Sequence, residues 1–183
     1  MNTKTPNNRL GRLSANEFKE ARKAPICLVL DNLRSAQNIG SVFRTMDAFR
    51  CEEVFLCGIC AQPPHREINK TALGATESVA WTYRESARDA VLDLKNRGYK
   101  VYAVEQTFDS QYLNDVAFSN NQKVAFVLGN EVTGVDQNVI DACDGSIEIP
   151  QFGSKHSLNI SVCAGVVLWH VFSKTYIENL GQD

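Results

Sequence analysis

The sequence predicts an α/β protein built on a mostly parallel sheet flanked by helices, and three observations carry that reading. Short β-rich runs alternate with helical stretches along the chain, the pattern of parallel strands joined by helical crossovers. Two of the runs, Ile26–Leu30 (ICLVL) and Val124–Leu128 (VAFVL), are apolar without alternation, as strands buried on both faces are. The loops after them are rich in Asn, Gly and Ser, next to the strand ends where open parallel sheets bind ligands.

Taken in chain order, Ser14 and Glu17 stand at capping-box spacing, so a first helix is expected over residues 15–23, with Pro25 stopping it. The strand Ile26–Leu30 follows. After a loop over Asp31–Gln37, Ile39, Val42, Phe43, Met46 and Phe49 recur at helical spacing through about residue 50. Glu53–Ile59 is the next strand. Residues 61–78 are polar, hold Pro63, Pro64 and Gly74, and read as a surface loop with a short helix in it. Val79–Tyr83 is a short strand. Arg84–Arg97 is a helix with Ala87, Ala90, Val91 and Leu94 inward and Gly98 as its stop. Then come a strand at Lys100–Val104, a polar connection over Gln106–Asn121 and the strand Val124–Leu128. A short helix is expected over Val135–Cys143 and a brief strand at Ile147–Ile149, ending at Pro150. A long C-terminal helix runs from Leu158 to about Ile177. The expected organisation is a basic arm and helix over residues 1–24, then one domain over residues 25–177, with no repeat or internal linker.

Composition narrows the function classes. In 183 residues, 44% are hydrophobic and 22% charged, which excludes a disordered or fibrous chain. The longest apolar stretch, Ser161–Phe172, is about half of a bilayer crossing. The N-terminus lacks the apolar run of a secretory leader, so a cytoplasmic protein is expected, with its six cysteines reduced and mostly buried. Net charge is −2, yet the first 25 residues hold six cations (Lys4, Arg9, Arg12, Lys19, Arg22, Lys23) against Glu17 and Glu20. A basic arm on an acidic body can contact phosphates. The pair Cys57 and Cys60 forms a CxxC, but in a strand rather than opening a helix, and no second pair completes a zinc site. No glycine fingerprint for a dinucleotide follows the first strand, and His65, His156 and His170 are scattered. No metal is expected.

Three polar segments lie just past predicted strands. The first runs from Asp31 to Arg44 and includes Asn38 and Gly40, which open a helix whose free N–H groups would suit a phosphate. Arg44 emerges on that helix beside apolar neighbours; an ion pair with Asp47 or Asp31 is the structural alternative to a functional role. The second is Leu128-Gly129-Asn130-Glu131-Val132-Thr133-Gly134. The third is Ile149–Ser161, where Ser157 and Asn159 precede the longest helix and Ser157 also fits a helix N-cap.

In order and spacing these segments resemble the three motifs of the SpoU (TrmH-type) branch of the SPOUT methyltransferases, a family of deep-knotted RNA ribose 2′-O-methyltransferases. Asn38-x-Gly40-x-x-x-Arg44 resembles the first, Leu128-Gly129-Asn130-Glu131-x-x-Gly134 the second, and Ile149-Pro150…Ser157-Leu158-Asn159-x-Ser161 the third. Lys70-Thr71-Ala72-Leu73-Gly74-Ala75 resembles the family's substrate-side loop. The resemblance covers about residues 25–175. It implies a C-terminal deep trefoil knot, a rare exception to unknotted topology. It implies S-adenosyl-L-methionine bound in the knot by Val104, Gly129, Asn130, Glu131, Ile149 and Leu158. It also implies a catalytic set of Arg44, Asn38, Ser157 and Asn159: Arg44 acts on the ribose 2′-hydroxyl, Asn38 holds ribose or phosphate, and Ser157 and Asn159 reach cofactor or substrate. The implied partners are RNA, with transfer RNA favoured over ribosomal RNA, and a second copy of the chain that completes the site. An inactive knotted RNA-binding protein is the alternative. The apolar C-terminal helix (Val162, Val166, Val167, Trp169, Val171) fits a dimer face and core packing equally.

Overall fold

The computed structural model describes residues 2–6 and 9–177, so Met1, Asn7 and Asn8 of the expected arm lie outside the described residues. The elements run α1 (Ala15–Glu20), β1 (Ala24–Asp31), α2 (Ala36–Ala48), β2 (Cys51–Cys57), α3 (Arg66–Ala72), α4 (Ala75–Ser78), β3 (Ala80–Arg84) and α5 (Ala87–Asn96). They continue with β4 (Lys100–Val104), β5 (Gln111–Tyr112), β6 (Val124–Leu128), α6 (Gln137–Ile140), β7 (Gly145–Glu148) and α7 (Ile160–Thr175). The seven strands form one sheet in the order β3-β2-β1-β6-β4-β7-β5, and every pairing is parallel. The expected α/β class and parallel sheet are therefore what the chain adopts.

The double-sided apolar runs explain the layering. In β1, Ile26, Leu28 and Leu30 face a core shared with Ile39, Phe43 and Met46 of α2 and with Val167, Leu168 and Val171 of α7. Cys27 and Val29, pointing the other way, join Ala87, Ala90, Val91 and Leu94 of α5 and Val139 of α6. The inward face expected for α5 is the one observed. Each large side chain buried this way contributes roughly 1.5–3 kcal/mol. Phe18 of α1 belongs to the α2 side of the core, so the end of the basic segment docks on the domain.

Several boundaries differ from the sequence expectation, each for a physical reason. The first helix ends at Glu20, well before Pro25, and Pro25 sits inside β1 where the pairing with β2 shifts register between Ala24 and Cys27. A residue without an N–H is tolerated at such a bulge near a strand start. The second strand begins two residues earlier than expected and ends at Cys57, because Gly58 adopts a positive φ of 59°. The stretch 61–78 is not a loop with one short helix: it folds as α3 and α4, with Ile68, Ala72, Ala75 and Ser78 buried. The expected strand at Val79–Tyr83 is Ala80–Arg84, and Arg84, expected to start a helix, ends that strand. Between β4 and β6, the polar connection contains β5 and a 3-10 turn at Leu113–Asp115 that buries Leu113. The helix expected over Val135–Cys143 shrinks to α6, and the strand expected at Ile147–Ile149 is β7, leaving Ile149 in the loop beyond it. The last helix starts at Ile160 rather than Leu158.

Candidate active site

The strand order brings the site together. β1 lies between β2 and β6, so the loops leaving β1 and β6 at their carboxyl ends run side by side, the position where open α/β sheets bind ligands. Asn130 bridges them: its Nδ2 donates to the Asn32 carbonyl at 2.7 Å, and its Oδ1 accepts from the Val132 and Thr133 amides at 2.9 and 3.2 Å. The turn closes on itself through reciprocal 3.0 Å hydrogen bonds between the Asn130 and Gly134 backbones. Gly129 must be glycine there, since a Cβ would lie under 3.0 Å from the Gly134 carbonyl carbon and the Val135 nitrogen.

The next residue, Glu131, reaches back to the start of α2. Its carboxylate accepts from the Arg34 amide at 3.0 Å, the Ser35 amide at 3.2 Å and Asn38 Nδ2 at 3.2 Å. Partial burial pushes this carboxyl up, but the hydrogen bonds from Arg34, Asn38 and Ser35 outweigh it and hold it below the ordinary carboxylate value. The α2 N-terminus thus already holds an anion of this chain. Of the N–H groups at this helix start, Glu131 takes those of Arg34 and Ser35, and the Ser35 hydroxyl takes that of Asn38 at 3.2 Å. Gly40 has a packing role: a Cβ there would collide with Thr71 Oγ1 and the Ile68 carbonyl of α3.

Asn159 joins the same group from the third motif. Its Nδ2 donates to Asn38 Oδ1 at 3.3 Å, while its Oδ1 caps α7 by accepting from the Ser161 amide at 3.0 Å and hydroxyl at 2.7 Å. Asn159 is therefore the N-cap that the sequence reading offered to Ser157, and Ser157 is an exposed loop residue. A hydrogen-bonded chain Glu131–Asn38–Asn159 links all three motifs.

Beside it lies a cleft of about 730 Å³. All six residues expected at a cofactor (Val104, Gly129, Asn130, Glu131, Ile149 and Leu158) line it, as do Ser157 and Asn159. Arg44 does not. It sits six residues beyond Asn38, about 9 Å along α2 by helical rise, and is exposed. Neither expected ion pair forms. Asp47 accepts from the Ser78 hydroxyl, and the buried Asp31 carboxylate accepts from Asn32 Nδ2 at 2.9 Å and the Asp136 amide at 3.4 Å. No hydrogen bond or ion pair engages the Arg44 guanidinium among the described residues.

Other lining residues carried no sequence signal. Glu105, just past β4, accepts from the Gln106 amide at 2.9 Å and the Val135 amide at 3.0 Å, bracing the Gly134 turn from below. Gln106 Nε2 donates to the His156 carbonyl at 2.9 Å, tying the loop after β7 to the end of β4. Glu148 and Cys163 complete that wall. Among the described residues, the lining includes the carboxylates of Glu105, Glu131 and Glu148 and no lysine or arginine. Burial pushes the Cys163 thiol up to about 11, so it is no nucleophile at neutral pH. The CxxC cysteines are structural: Cys60 Sγ donates to the Leu30 carbonyl and accepts from the Leu33 amide, and burial raises both thiols. Among the described residues, no three His, Cys, Asp or Glu side chains cluster as a metal site, and no helix is long and apolar enough to cross a membrane.

Comparison with known proteins agrees with this geometry. The family model described as the SpoU rRNA Methylase family matches residues 25–169. A TrmH-family protein of Staphylococcus aureus is 31% identical over 158 residues, covering 86% of this chain; the chain spans only 62% of that protein's length. The tRNA (guanosine(18)-2′-O)-methyltransferase of Aquifex aeolicus is 30% identical over 165 residues, covering 88% of this chain and 74% of that protein. Among solved structures, the Aquifex aeolicus TrmH/SpoU tRNA modifying enzyme superposes with a TM-score of 0.76 at 23% identity, covering 87% of this chain and 81% of that one. The SpoU methyltransferase AviRb from Streptomyces viridochromogenes, in complex with AdoMet, superposes with a TM-score of 0.74 at 21% identity, covering 85% and 62%. With the motifs joined in one site and the family model spanning most of the sequence, the chain belongs to the SpoU methylase family.

Proposed function

We propose that the protein transfers a methyl group from S-adenosyl-L-methionine to a ribose 2′-hydroxyl of RNA, with transfer RNA as the favoured substrate. The observation that carries this reading is the Glu131–Asn38–Asn159 chain beside a cleft whose charged lining is wholly acidic. The cleft fits the cofactor: a net positive group meets Glu105, Glu131 and Glu148, while Val104, Ile149 and Leu158 offer apolar wall to an adenine. When bound, the cofactor supplies an electrophilic methyl on its sulfonium. The deep C-terminal knot belongs to the same reading, supported by the Gln106–His156 contact that holds the 150–159 loop over the end of β4.

A ribose hydroxyl is a weak nucleophile at neutral pH, so this chain's residues must place the oxygen and ease loss of its proton. Placement alone supplies on the order of 7–11 kcal/mol. Asn38, held from both sides by Glu131 and Asn159, has a fixed amide orientation suited to gripping ribose or phosphate. Ser157, exposed at the cleft rim, is free to meet the substrate. Arg44 presents five N–H donors and no acceptor, so it acts by orienting the hydroxyl and stabilising the developing alkoxide.

Because Arg44 stands outside its own cleft, the reading includes a homodimer in which it serves a site shared by two copies. The C-terminal helix supports this. Val167 and Val171 are buried, but Val162 is 52%, Val166 39% and Trp169 51% exposed, an apolar stripe at helical spacing. Residues 1–24 act as a basic arm ahead of the methyltransferase unit at 25–177 and, with Arg34, Arg44, Arg50, Arg66 and Lys70, form the track for RNA phosphates. The setting is the cytoplasm.

The test uses labelled S-adenosyl-L-methionine with bulk transfer RNA and, separately, ribosomal RNA, each from cells lacking this protein. Wild type and Arg44→Ala are run together, and products are digested to nucleosides. A 2′-O-methyl nucleoside in transfer RNA, formed by wild type and reduced at least 100-fold by Arg44→Ala, is expected. Transfer to ribosomal RNA alone would reverse the substrate preference. Cofactor binding without transfer to either RNA would sink the enzymatic reading.

A further inference from the structure

A second cavity, of about 390 Å³, opens between the loop before α3, the α3–α4 junction and the start of β3. Its apolar walls are Pro63, Pro64 and the half-buried Trp81; its polar groups are Asn69, Thr76 and Glu77. None of these takes part in the site above. An indole face beside two proline rings is a stacking surface, and an amide, a hydroxyl and a carboxylate around it can read the edge of a planar ligand. Arg66 and Lys70, one helical turn apart on α3, flank Asn69. Both are exposed, and Arg66 has only a loose 4.0 Å approach to Glu67. Lys70 engages no partner among the described residues. A stacking pocket edged by two exposed cations, one of them in a loose surface ion pair, has the chemistry of a single-stranded nucleic acid site, with the cations on the phosphates and the pocket on a base.

The pocket is also anchored to the candidate active site. Thr71 Oγ1 of α3 donates to the Gln37 carbonyl at 2.9 Å, and Gln37 Nε2 donates to Glu67 at 2.8 Å. Gln37 immediately precedes Asn38, so α3 is registered to the turn that carries the Glu131–Asn38–Asn159 chain.

We propose that this pocket binds an unstacked guanine of the RNA substrate, near the nucleotide that is methylated, with Trp81 stacking on the base and Glu77 reading its edge. The inference rests on the RNA reading above. Guanine follows from the carboxylate, which only accepts hydrogen bonds. Guanine presents two adjacent donors on one edge, N1–H and the exocyclic amine, which a carboxylate can take together. Adenine and cytosine set a ring-nitrogen lone pair beside their amine, and uracil flanks its single N–H with carbonyls, so each brings a lone pair against Glu77. Asn69, able to donate, suits the guanine O6.

The chain has two tryptophans, so in a Trp169→Phe background Trp81 alone reports by fluorescence. The probes are hexauridylate and the same hexamer with one guanosine in the fourth position. The guanosine hexamer is expected to quench Trp81 and bind about tenfold tighter than hexauridylate, and Glu77→Gln to bring the two within twofold. Glu77 is exposed on α4, so this variant keeps the fold. Equal affinities for the two hexamers, or a preference that survives Glu77→Gln, would overturn the assignment. Methyl transfer to bulk RNA is measured on the wild-type chain: transfer without guanosine preference removes the pocket alone, whereas absence of transfer and of binding to either hexamer removes the RNA reading with it.

Discussion

The contact between Glu131 and the α2 N-terminus makes a prediction that separates architecture from catalysis. Replacing Glu131 with alanine deletes three hydrogen bonds to a carboxylate, from the Arg34 and Ser35 amides and from Asn38. A hydrogen bond to a charged group contributes about 1.5–3 kcal/mol when sheltered. Glu131 is exposed and water can replace it, so the net loss is much smaller than three times that, about 1–2 kcal/mol in all. For a chain of this size that is a fall in melting temperature of roughly 2–8 °C. The acid dependence carries the sign. The folded carboxyl lies below its unfolded value, so its stabilisation is fully present above the ordinary carboxylate value of 4.5 and is lost as pH falls through the lower folded value. Thermal and urea unfolding of wild type, Glu131→Ala and Glu131→Gln at fixed protein concentration, from neutral to acid pH, measures both. The wild type and the alanine variant should differ at pH 7 and converge only in the acid limb. Glutamine, which keeps one acceptor oxygen, should fall between them at pH 7. An alanine variant as stable as wild type at pH 7, or a gap unchanged through the acid range, would refute the reasoning.

Three further outcomes follow from the same structure. Gly129→Ala puts a Cβ into the Gly134–Val135 backbone, which should cost about 1–3 kcal/mol and weaken S-adenosyl-L-methionine binding at least tenfold by calorimetry; wild-type affinity would contradict the packing argument. Val166→Glu charges the exposed stripe of α7 and should yield a monomer by sedimentation with its fold intact; a dimer as strong as wild type would place the interface elsewhere. Removing residues 1–12 deletes Lys4, Arg9 and Arg12 while sparing the Ser14 cap and the buried Phe18, and should lower the salt slope of RNA binding by up to about 2. An unchanged slope would take the arm out of the RNA contact.

Where local chemistry decides structure, the sequence was legible. The bounds of β4 and β6, the buried face of α5 and the Ser14–Glu17 box follow from apolar runs, helical spacing and cap residues acting within a few positions of one another. The three motifs were visible for a related reason, since dense Asn, Gly and Ser after a buried strand serve few structural ends. Of α3 and α4 only one short helix without bounds was legible, because seven- and four-residue helices bury only two positions each and leave no periodic trace. Between Ser157 and Asn159 the sequence is neutral, as both side chains can cap a helix; the choice falls to Asn159, which is also in reach of Asn38.

The sequence by itself determined an α/β domain, its main strands and helices and the residue types of its site. Only the tertiary structure decided how those residues are used. Glu131 meets the α2 amides across 97 and 96 positions of chain, and Asn159 meets Asn38 across 121. Nothing periodic in the sequence encodes such contacts; the first two exist because β1 and β6 pair side by side at the centre of the sheet, and the third because α7, which Asn159 caps, packs in the same core as α2. That pairing sets the Glu131 carboxylate against the Arg34 and Ser35 amides, while α2 carries Arg44 away from the cleft beside them.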